Sequence, residues 1–278
     1  MPWIKIVGAG YWTLFVATFL TIAVWETFQP KRPLSYPAQT RWGRHALLFA
    51  VSGLAQSAVF RISPVLIAAA AANNRFGILN HAWLPYGVRW AAAVILLDLL
   101  HYATHRVFHA VPYLWRIHEI HHSDPDYDVS TAVRFHPIEV VSEQGIYVVA
   151  VVLLAPPPIA VFVSELLTVV VNLFAHANAS LPRRIEKVLR LVFITPDLHR
   201  IHHSADMADY SRNFGQTFAW WDRVFGTCLT EPKVGAERIV TGIPGLRNAR
   251  SLGIGFMLTR PFQARSESHV LDQPEMES

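Results

Sequence analysis

The sequence has little cysteine and little charge. Its single cysteine, Cys228, excludes a disulfide framework and cannot build a thiolate metal site, so any bound metal must be held by nitrogen and oxygen ligands. Charged residues make up only 16% of the 278 residues, whereas a soluble globular protein has roughly 25%. Hydrophobic residues make up 52% of the chain. This composition favours a membrane protein.

The sequence also lacks the motifs of common organic cofactors and of nucleic-acid-binding modules. No flavin, haem or iron–sulfur motif is present, and Gly8 and Gly10 lack the preceding strand and the third glycine of a dinucleotide fingerprint. The net charge of +4 is modest, and the basic residues flank apolar segments instead of forming a stripe, so we expect no nucleic-acid partner. No Gly/Ser linker divides the chain, which predicts one membrane-embedded unit.

Five apolar stretches are present, at residues 6–25, 45–72, 90–100, 140–154 and 159–174. The first is long enough to cross a bilayer core of about 30 Å, and since no cleavage pattern follows it, we interpret it as a retained transmembrane helix. Arg61 and Pro64 interrupt the second, which is either one kinked span or a broken, partly re-entrant pair. Pro156, Pro157 and Pro158 predict a tight turn between the last two. We therefore predict an all-α fold, a polytopic membrane helical bundle.

Basic residues are distributed unevenly among the connecting segments. Four lie in residues 26–44 and more surround the histidine-rich segments, whereas the loop 73–89 holds only Arg75 and Arg89. Cytoplasmic segments of membrane proteins carry an excess of Lys and Arg. If the second stretch crosses the membrane once, all the histidine-rich segments therefore face the cytoplasm. We expect an integral, multi-pass protein of the inner (cytoplasmic) membrane.

Histidine is concentrated in one part of the chain. Eleven of the fourteen histidines lie between residues 101 and 203. The six residues 118–123, His-Glu-Ile-His-His-Ser, recur at 199–204 as His-Arg-Ile-His-His-Ser, with every histidine kept. Residues i, i+3 and i+4 share one face of a helix, so the three histidines of each copy can converge on one point. A third cluster, upstream of the first copy, consists of His101, His105 and His109.

This pattern predicts a metal centre. The three clusters supply at least eight imidazoles, more than one ion takes from a protein, so they indicate two metal ions. Imidazole suits Zn, Cu, Fe and Ni alike, and the ligand type does not choose among these elements. Asp98 lies one helical turn before His101, where it could accept a hydrogen bond from a ligand histidine.

Two other functions could use the same residues. Residues 118–122 also fit HExxH, the helix motif of zinc peptidases, with Glu119 as the general base. The second copy has Arg200 in place of Glu119, however, and a single zinc would leave five or more clustered histidines without a role. A metal transporter or sensor would place its ligands within the spans, whereas these clusters lie at the ends of spans.

The spacing of the histidines resembles that of the fatty acid hydroxylase superfamily, also called the sterol desaturase family. Its members carry an HxxxH, HxxHH, HxxHH series, which here falls at residues 105–109, 118–122 and 199–203. Flanking pieces that also resemble the family are Arg134-Phe135-His136-Pro137, residues 174–178 with Leu181-Pro182, Asn213-Phe214-Gly215 and residues 221–227. The resemblance covers about residues 90–230 and implies an integral-membrane di-iron oxygenase.

The resemblance also implies which residues bind metal. Nine histidines are the implied ligands: His105, His109, His118, His121, His122, His176, His199, His202 and His203. Three further residues are candidates for metal binding or for a hydrogen bond to a ligand: His101, His136 and Asp98. His101 departs from the family pattern, in which this position is often aromatic. His136 belongs to a His-Pro pair whose role could instead be structural.

The activity that the resemblance implies is O₂-dependent hydroxylation or desaturation of a C–H bond in a membrane lipid, such as a sterol, a fatty acyl chain or an ether lipid. The implied cofactor is two Fe ions, for which Zn could substitute, with O₂ as co-substrate. A separate ferredoxin, cytochrome or reductase would supply electrons. We expect an N-terminal transmembrane region (1–89), a catalytic domain (90–232) with a cytoplasmic-side, histidine-rich di-metal cap, and a C-terminal tail (233–278).

Overall fold

The computed structural model describes residues 2–81 and 83–263. In this part of the chain the only β-structure is three isolated bridges, and the predicted all-α fold is confirmed. The α-helices are α1 (Pro2–Phe28), α2 (Ala38–Val59), α3 (Pro64–Asn73), α4 (Ile78–His81), α5 (Tyr86–Ala110), α6 (Pro112–His122), α7 (Pro137–Leu154), α8 (Pro158–Ala175), α9 (Arg183–Leu189), α10 (Pro196–His202), α11 (Met207–Tyr210), α12 (Trp220–Val224) and α13 (Ile254–Thr259). Short 3₁₀ helices are Val129–Val133, Ala236–Arg238, Ala249–Leu252 and Arg260–Phe262.

Among the described residues, five segments are long and apolar enough to cross a membrane. The shortest has 18 residues and extends about 27 Å at a rise of about 1.5 Å per residue, close to the bilayer core of about 30 Å. Large apolar side chains lie on the outer surface of these helices, including Leu54 (71% exposed) and Leu153 (55% exposed), where lipid would cover them. The predicted polytopic membrane bundle is confirmed. The segments are Gly8–Phe28, Ala38–His81, Tyr86–Ala110, Pro137–Leu154 and Pro158–Ala175.

The second apolar stretch is broken into two helices. Helix α2 ends at Val59, and α3 begins at Pro64 after the N-cap Ser63, whose side chain accepts a hydrogen bond from the Leu66 amide. Helix α2 has 22 residues and is long enough to span, whereas the 10 residues of α3 cover about half of a bilayer core. Just after α3, Gly77 has a positive φ of 92° and packs so closely on Ala155 that no side chain would fit there. Within this stretch α2 is therefore the helix long enough to span by itself, and α3 packs on α7 and α8.

Five helix termini lie at the same end of the bundle. Helices α1, α5 and α8 end there, and α2 and α7 begin there. Glu26, near the end of α1, accepts hydrogen bonds from the amides of Val129 and Asn178 at 3.1 and 3.0 Å. Asn178 lies three residues after the end of α8, so this carboxylate links the ends of α1 and α8. We call the structure that closes over this end the cap; it consists of α6 and residues 123–136 and 176–263.

A buried ionic cluster fixes α2 to the cap. The guanidinium of Arg41, in the first turn of α2, has no solvent exposure and donates hydrogen bonds to Asp124 (2.6 Å) and to Asp128. Burial raises the pKa of the Asp124 carboxyl, but the charge of Arg41 overrides this effect and holds that pKa well below its usual range. Both carboxylates lie in the loop after α6, so the cluster positions the helix that carries the first HxxHH motif.

The described part of the segment predicted as a C-terminal tail belongs to the cap and packs on α2 and α6. Met257 of α13 is fully buried and clusters with Leu48 of α2 and Ile120 of α6. Arg134 is also fully buried, and it donates a 2.9 Å hydrogen bond to the Ser251 carbonyl. Residues 254–263 therefore pack on α6, and residues 264–278 of the predicted tail lie outside the described residues.

Replacing Arg41 with glutamine is expected to lower the free energy of unfolding by about 3–5 kcal/mol, because it leaves buried carboxylates without their counter-ion. Thermal unfolding of the detergent-solubilised protein, followed by tryptophan fluorescence, measures the effect. Arg44→Gln, in the same helix, is the matched control and should change the free energy by no more than about 0.5 kcal/mol. Equal destabilisation by the two variants would contradict the role given to the Arg41 cluster.

Candidate metal centre

Nine buried or nearly buried histidines meet inside the cap. They form two groups, in each of which the candidate ligand atoms lie within 4.8 Å of one another. The five-histidine group consists of His105, His109, His118, His122 and His202; the four-histidine group consists of His121, His176, His199 and His203. These are the nine histidines that the family resemblance implies as ligands. Four segments of the chain supply them: the end of α5, α6, the residue after α8, and α10 with the residue that follows it.

Each HxxHH motif is divided between the two groups and does not converge on one point as expected. Residues i and i+4 differ by about 40° around a helix of 3.6 residues per turn, but adjacent residues differ by about 100°. His118 and His122 therefore face one group, and His121 faces the other. In the second motif His199 and His203 face the four-histidine group, and His202 faces the five-histidine group. The two repeats thus make reciprocal contributions to two adjacent sites.

The ring nitrogens within each group lie at the distance expected for ligands of one ion. In the five-histidine group the Nε2 atom of His105 lies 3.2 Å from that of His118 and 3.0 Å from that of His202. In the four-histidine group the Nε2 atom of His176 lies 3.2 Å from those of His121 and His199. Two nitrogens bound to one ion at about 2.1 Å, with an angle of roughly 90–109° between them, are about 3.0–3.4 Å apart.

Hydrogen bonds on the far side of the rings determine which nitrogen faces inward as an acceptor. The Nδ1 atoms of His105 and His202 lie 2.8 and 2.7 Å from the carbonyl oxygens of Phe214 and Arg212. A carbonyl can only accept, so both Nδ1 atoms carry hydrogen, and in a neutral imidazole the lone pair is then on Nε2. Two lone pairs facing each other at 3.0 Å cannot share a hydrogen bond. They repel unless a cation lies between them, and this donor set fits a metal ion.

Charge and burial favour the metal-binding form of these side chains. Burial, followed by repulsion from neighbouring imidazoles, lowers the pKa of His121, His122 and His199 well below the ordinary value. Burial alone lowers the pKa of His118 to about 3. Near pH 7 these rings are therefore neutral, which is the form that binds metal. His109 supports the same conclusion. Both of its ring nitrogens are buried and have no hydrogen-bond partner among the described residues, so both are free to bind a metal ion.

A carboxylate that the sequence reasoning missed orients one of the ligands. Glu139, fully buried in the first turn of α7, accepts a 2.5 Å hydrogen bond from Nδ1 of His118. Such carboxylate–histidine pairs fix the tautomer and the ring direction of a metal ligand and increase its basicity. The available signal was an acidic residue in the first turn of a mostly apolar helix, but nothing in the local sequence connects it to a histidine 21 positions earlier.

The three residues predicted as alternative ligands or partners lie outside both groups. The ring of His101 stacks on Tyr147 with centroids 5.3 Å apart. His136 is the N-cap of α7, where its Nδ1 accepts from the Ile138 amide. Asp98 accepts hydrogen bonds from the Trp221 indole and the backbone of the loop before α12, not from a histidine. Asp98 does not reach His105 because the two residues are seven positions apart in α5, which places them about 10 Å apart along the helix axis.

The glutamate of the HExxH pattern does not face the histidines. Glu119 is buried, and it forms a 3.0 Å salt bridge with Arg260, which follows α13. It directly follows His118 and therefore points about 100° away from that ligand around α6. A general base in a zinc peptidase must reach metal-bound water, so this arrangement does not support the peptidase alternative.

Aromatic rings surround the histidines. Phe135 stacks on His121 at 4.2 Å between centroids, and Trp115 packs on His109 at 4.9 Å. Phe214 contacts the rings of His109 and His202 from the opposite wall. This shell reduces the access of water to the centre, and such exclusion strengthens electrostatic interactions inside it.

Comparison with known proteins agrees with this geometry. The sequence model of the family described as fatty acid hydroxylase matches residues 90–227. An ornithine lipid hydroxylase from Rhizobium tropici is 26% identical over 92% of this chain and 78% of its own length. Alkylglycerol monooxygenase from Homo sapiens is 28% identical over 55% of this chain, and methylsterol monooxygenase 1 from Rattus norvegicus is 25% identical over 52%. The chain spans 33% and 48% of the latter two proteins. No solved structure matches the chain with comparable significance.

Replacing Glu139 with glutamine is expected to weaken metal binding by about 10–100-fold, because His118 loses the carboxylate that orients it. Metal retained after dialysis against graded chelator concentrations measures the change. Glu143→Gln, one helical turn further along α7, removes a carboxylate from the same helix and should retain metal as the parent does. If the two variants release metal at the same chelator concentration, the role of Glu139 is disproved.

Proposed function

Residues 90–227 belong to the fatty acid hydroxylase family, and from that membership we propose that the chain is a membrane-embedded, metal-dependent monooxygenase that hydroxylates a C–H bond of a lipid. The relatives named above act, by their names, on an ornithine lipid, an alkylglycerol and a methylsterol. All three names describe hydroxylation or monooxygenation, which favours hydroxylation over desaturation here. The observation that carries the proposal is the pair of histidine groups with inward-facing Nε2 atoms at the end of the membrane helices.

We propose iron in both groups. Nitrogen-only ligation fits several first-row metals, but Zn²⁺ has no redox chemistry and cannot supply electrons to O₂. Two iron ions, when bound, would supply the activation of O₂ and the oxidation of the C–H bond. His105, His109, His118, His122 and His202 would hold one ion, and His121, His176, His199 and His203 the other.

The residues of the chain prepare this chemistry by orientation and by exclusion of water. The Nδ1 hydrogens are held by the carbonyls of Phe214, Asn172 and Arg212 and by the carboxylate of Glu139, so the rings do not rotate. These contacts leave Nε2 as the inward-facing atom of each of the four histidines concerned. The aromatic shell around the groups keeps water from the reacting carbon. The apolar helices α5 and α8, which lead to the groups, bring a substrate that is dissolved in the bilayer to the centre.

The cytoplasmic orientation and the electron donor are part of the proposal. The basic residues around the histidine-rich segments favour the cytoplasmic side for the cap. All nine candidate ligands then lie on the side where soluble electron carriers are present. The sequence has no flavin, haem or iron–sulfur motif, so we propose that a separate ferredoxin, cytochrome or reductase reduces the metals at the surface of the cap.

The purified full-length chain is expected to contain two irons and to form a hydroxylated lipid only in the presence of O₂. Elemental analysis gives the iron content. Mass spectrometry of lipids from cells with and without the gene identifies the product, and the purified chain with its reductant is then assayed under air and under argon. One zinc per chain with turnover under argon would refute the proposal and favour hydrolysis.

Variants in the two groups are expected to lose metal separately. His202→Ala removes a ligand of the five-histidine group and His176→Ala a ligand of the four-histidine group, so each should lose about one of two irons. Hydroxylation should fall at least about 100-fold in both, because the proposed reaction needs both ions. His101→Phe keeps an aromatic ring against Tyr147 and should retain both irons. Loss of both irons from His202→Ala and from His176→Ala, with both irons retained in His101→Phe, would show that the groups are not separate sites.

A further inference from the structure

A small cavity lies in the cap beside the four-histidine group. Its volume is about 40 Å³, and Arg32, Arg200, Tyr127, Asn178 and Asp126 are among the residues that line it. One water molecule needs roughly 10–15 Å³ by this measure, so the space would hold about three waters. A carboxylate or phosphate group is of comparable size. We call this space the arginine cavity.

Both arginines of the cavity have a donor without an acceptor. The terminal nitrogens of Arg32 donate to the carbonyls of Ala236 and Ile239, and those of Arg200 donate to the Ala177 carbonyl and to Asp197. The Nε atoms of both arginines are buried and have no acceptor among the described residues. Arg200 as a whole is only 2% exposed. Each terminal nitrogen of a guanidinium carries a second hydrogen, so both arginines can also donate to oxygen acceptors of a ligand in the cavity that they line.

The acidic residues near the cavity already have partners. The Asp126 carboxylate accepts hydrogen bonds from the amides of Ser35 and Tyr36 at 2.8 and 2.9 Å. Asp197 pairs with Lys31 as well as with Arg200. Burial, and then repulsion from the charge of Arg200, lower the pKa of Arg32. An anion between them would relieve this repulsion.

The cavity is one aromatic ring away from the metal centre. Tyr127 stacks on His176 with centroids 5.4 Å apart, and the guanidinium carbon of Arg200 lies 5.0 Å from the centroid of the same tyrosine ring. The Tyr127 hydroxyl donates to the Ala175 carbonyl at the end of α8, which holds the ring in place. Arg32 follows the end of α1, a candidate membrane span, by four residues. The cavity is therefore close both to the histidines and to the end of a span.

We propose that the arginine cavity binds the oxyanion of an acidic lipid headgroup, a phosphate or a carboxylate, and so selects acidic lipids as substrates. The assignment to a substrate rests on the proposed hydroxylase function. Arg32 and Arg200 each donate a hydrogen of a terminal guanidinium nitrogen to an oxygen of the headgroup, and charge-assisted bonds of this kind are the strong ones. Inorganic phosphate offers the same oxygens without a lipid tail, so the experiment must separate the two sources.

The test measures binding to the full-length protein in an uncharged detergent, under argon, with three probes. Dioctanoyl phosphatidic acid carries the oxyanion and two tails, dioctanoylglycerol carries the same tails alone, and inorganic phosphate is the oxyanion alone. The variants are Arg32→Gln and Arg200→Gln, with Arg184→Gln at an exposed position of α9 as the matched control. We expect the Kd for dioctanoyl phosphatidic acid to rise at least about tenfold in the first two and to stay unchanged in the third. Dioctanoylglycerol should bind all four proteins equally.

Arg200 is buried and its replacement could disturb folding, so two further measurements accompany it. Arg200→Lys keeps the charge but loses Nε and the planar fork, and it should weaken phosphatidic acid binding while retaining dioctanoylglycerol binding and metal content. If both position-200 variants lose dioctanoylglycerol binding, their folding is disturbed and the test rests on Arg32→Gln, because Arg32 is only partly buried. A tenfold loss confined to phosphatidic acid in Arg32→Gln supports the proposal, and an unchanged Kd overturns it.

Two other results would overturn the proposal. Inorganic phosphate that binds as tightly as dioctanoyl phosphatidic acid would make the cavity a site for free oxyanions. Equal weakening in Arg184→Gln would mean that general surface charge, not the cavity, attracts the lipid. Because binding is measured without turnover, selective phosphatidic acid binding supports the cavity assignment even where no product forms. Product formation with equal binding by all variants overturns it and leaves the hydroxylase function intact.

Discussion

The inward-facing lone pairs of neutral histidines are the constraint on which the rest of the cap depends. His105 and His202 have their hydrogens committed to backbone carbonyls, so their Nε2 atoms meet at 3.0 Å as two acceptors. Without a cation, this arrangement is repulsive and buried polar atoms are unsatisfied. With one, the same atoms become ligands and the repulsion becomes attraction. The stability of the cap is therefore coupled to metal binding, as in other sites whose ligands are gathered by folding.

The membrane helices supply the rigid frame that makes such a gathering possible. Helices α5 and α8 end at the cap and carry candidate ligands at or just past their last turns. Glu26 and Arg41 tie α1 and α2 to the loop after α6, so the helix with the first HxxHH motif is held by two spans that supply no ligand. Buried ion pairs add little net stability but are costly to break. Here they hold the loop that follows α6 in one position.

The sequence was informative where the chemistry is local and periodic. The repeated HxxHH motifs and the apolar stretches led to the metal-ligand candidates and to the bundle, because both patterns lie within single helices. The division of each motif between two groups follows from the 100° angle between adjacent residues of a helix. The prediction that all three histidines of a motif share one face did not take this angle into account. Glu139 was missed because its partner His118 lies on another helix, and a tertiary contact leaves no local pattern. Asp98 was predicted to accept a hydrogen bond from a candidate ligand histidine because it lies on the same face of the helix. The rise along the helix axis, however, places Asp98 too far from His105 for such a contact.

The one position at which the two repeats differ shows how the metal centre is linked to its surroundings. Glu119 and Arg200 occupy equivalent places in their motifs, and both side chains point away from the histidines. Glu119 pairs with Arg260 and so holds the C-terminal segment against α6. Arg200 packs on Tyr127 and lines the arginine cavity. In the proposed centre the histidines of the two copies must match because they would share two ions, whereas this outward position can differ. In one copy it anchors the cap, and in the other it lines a cavity next to the histidines.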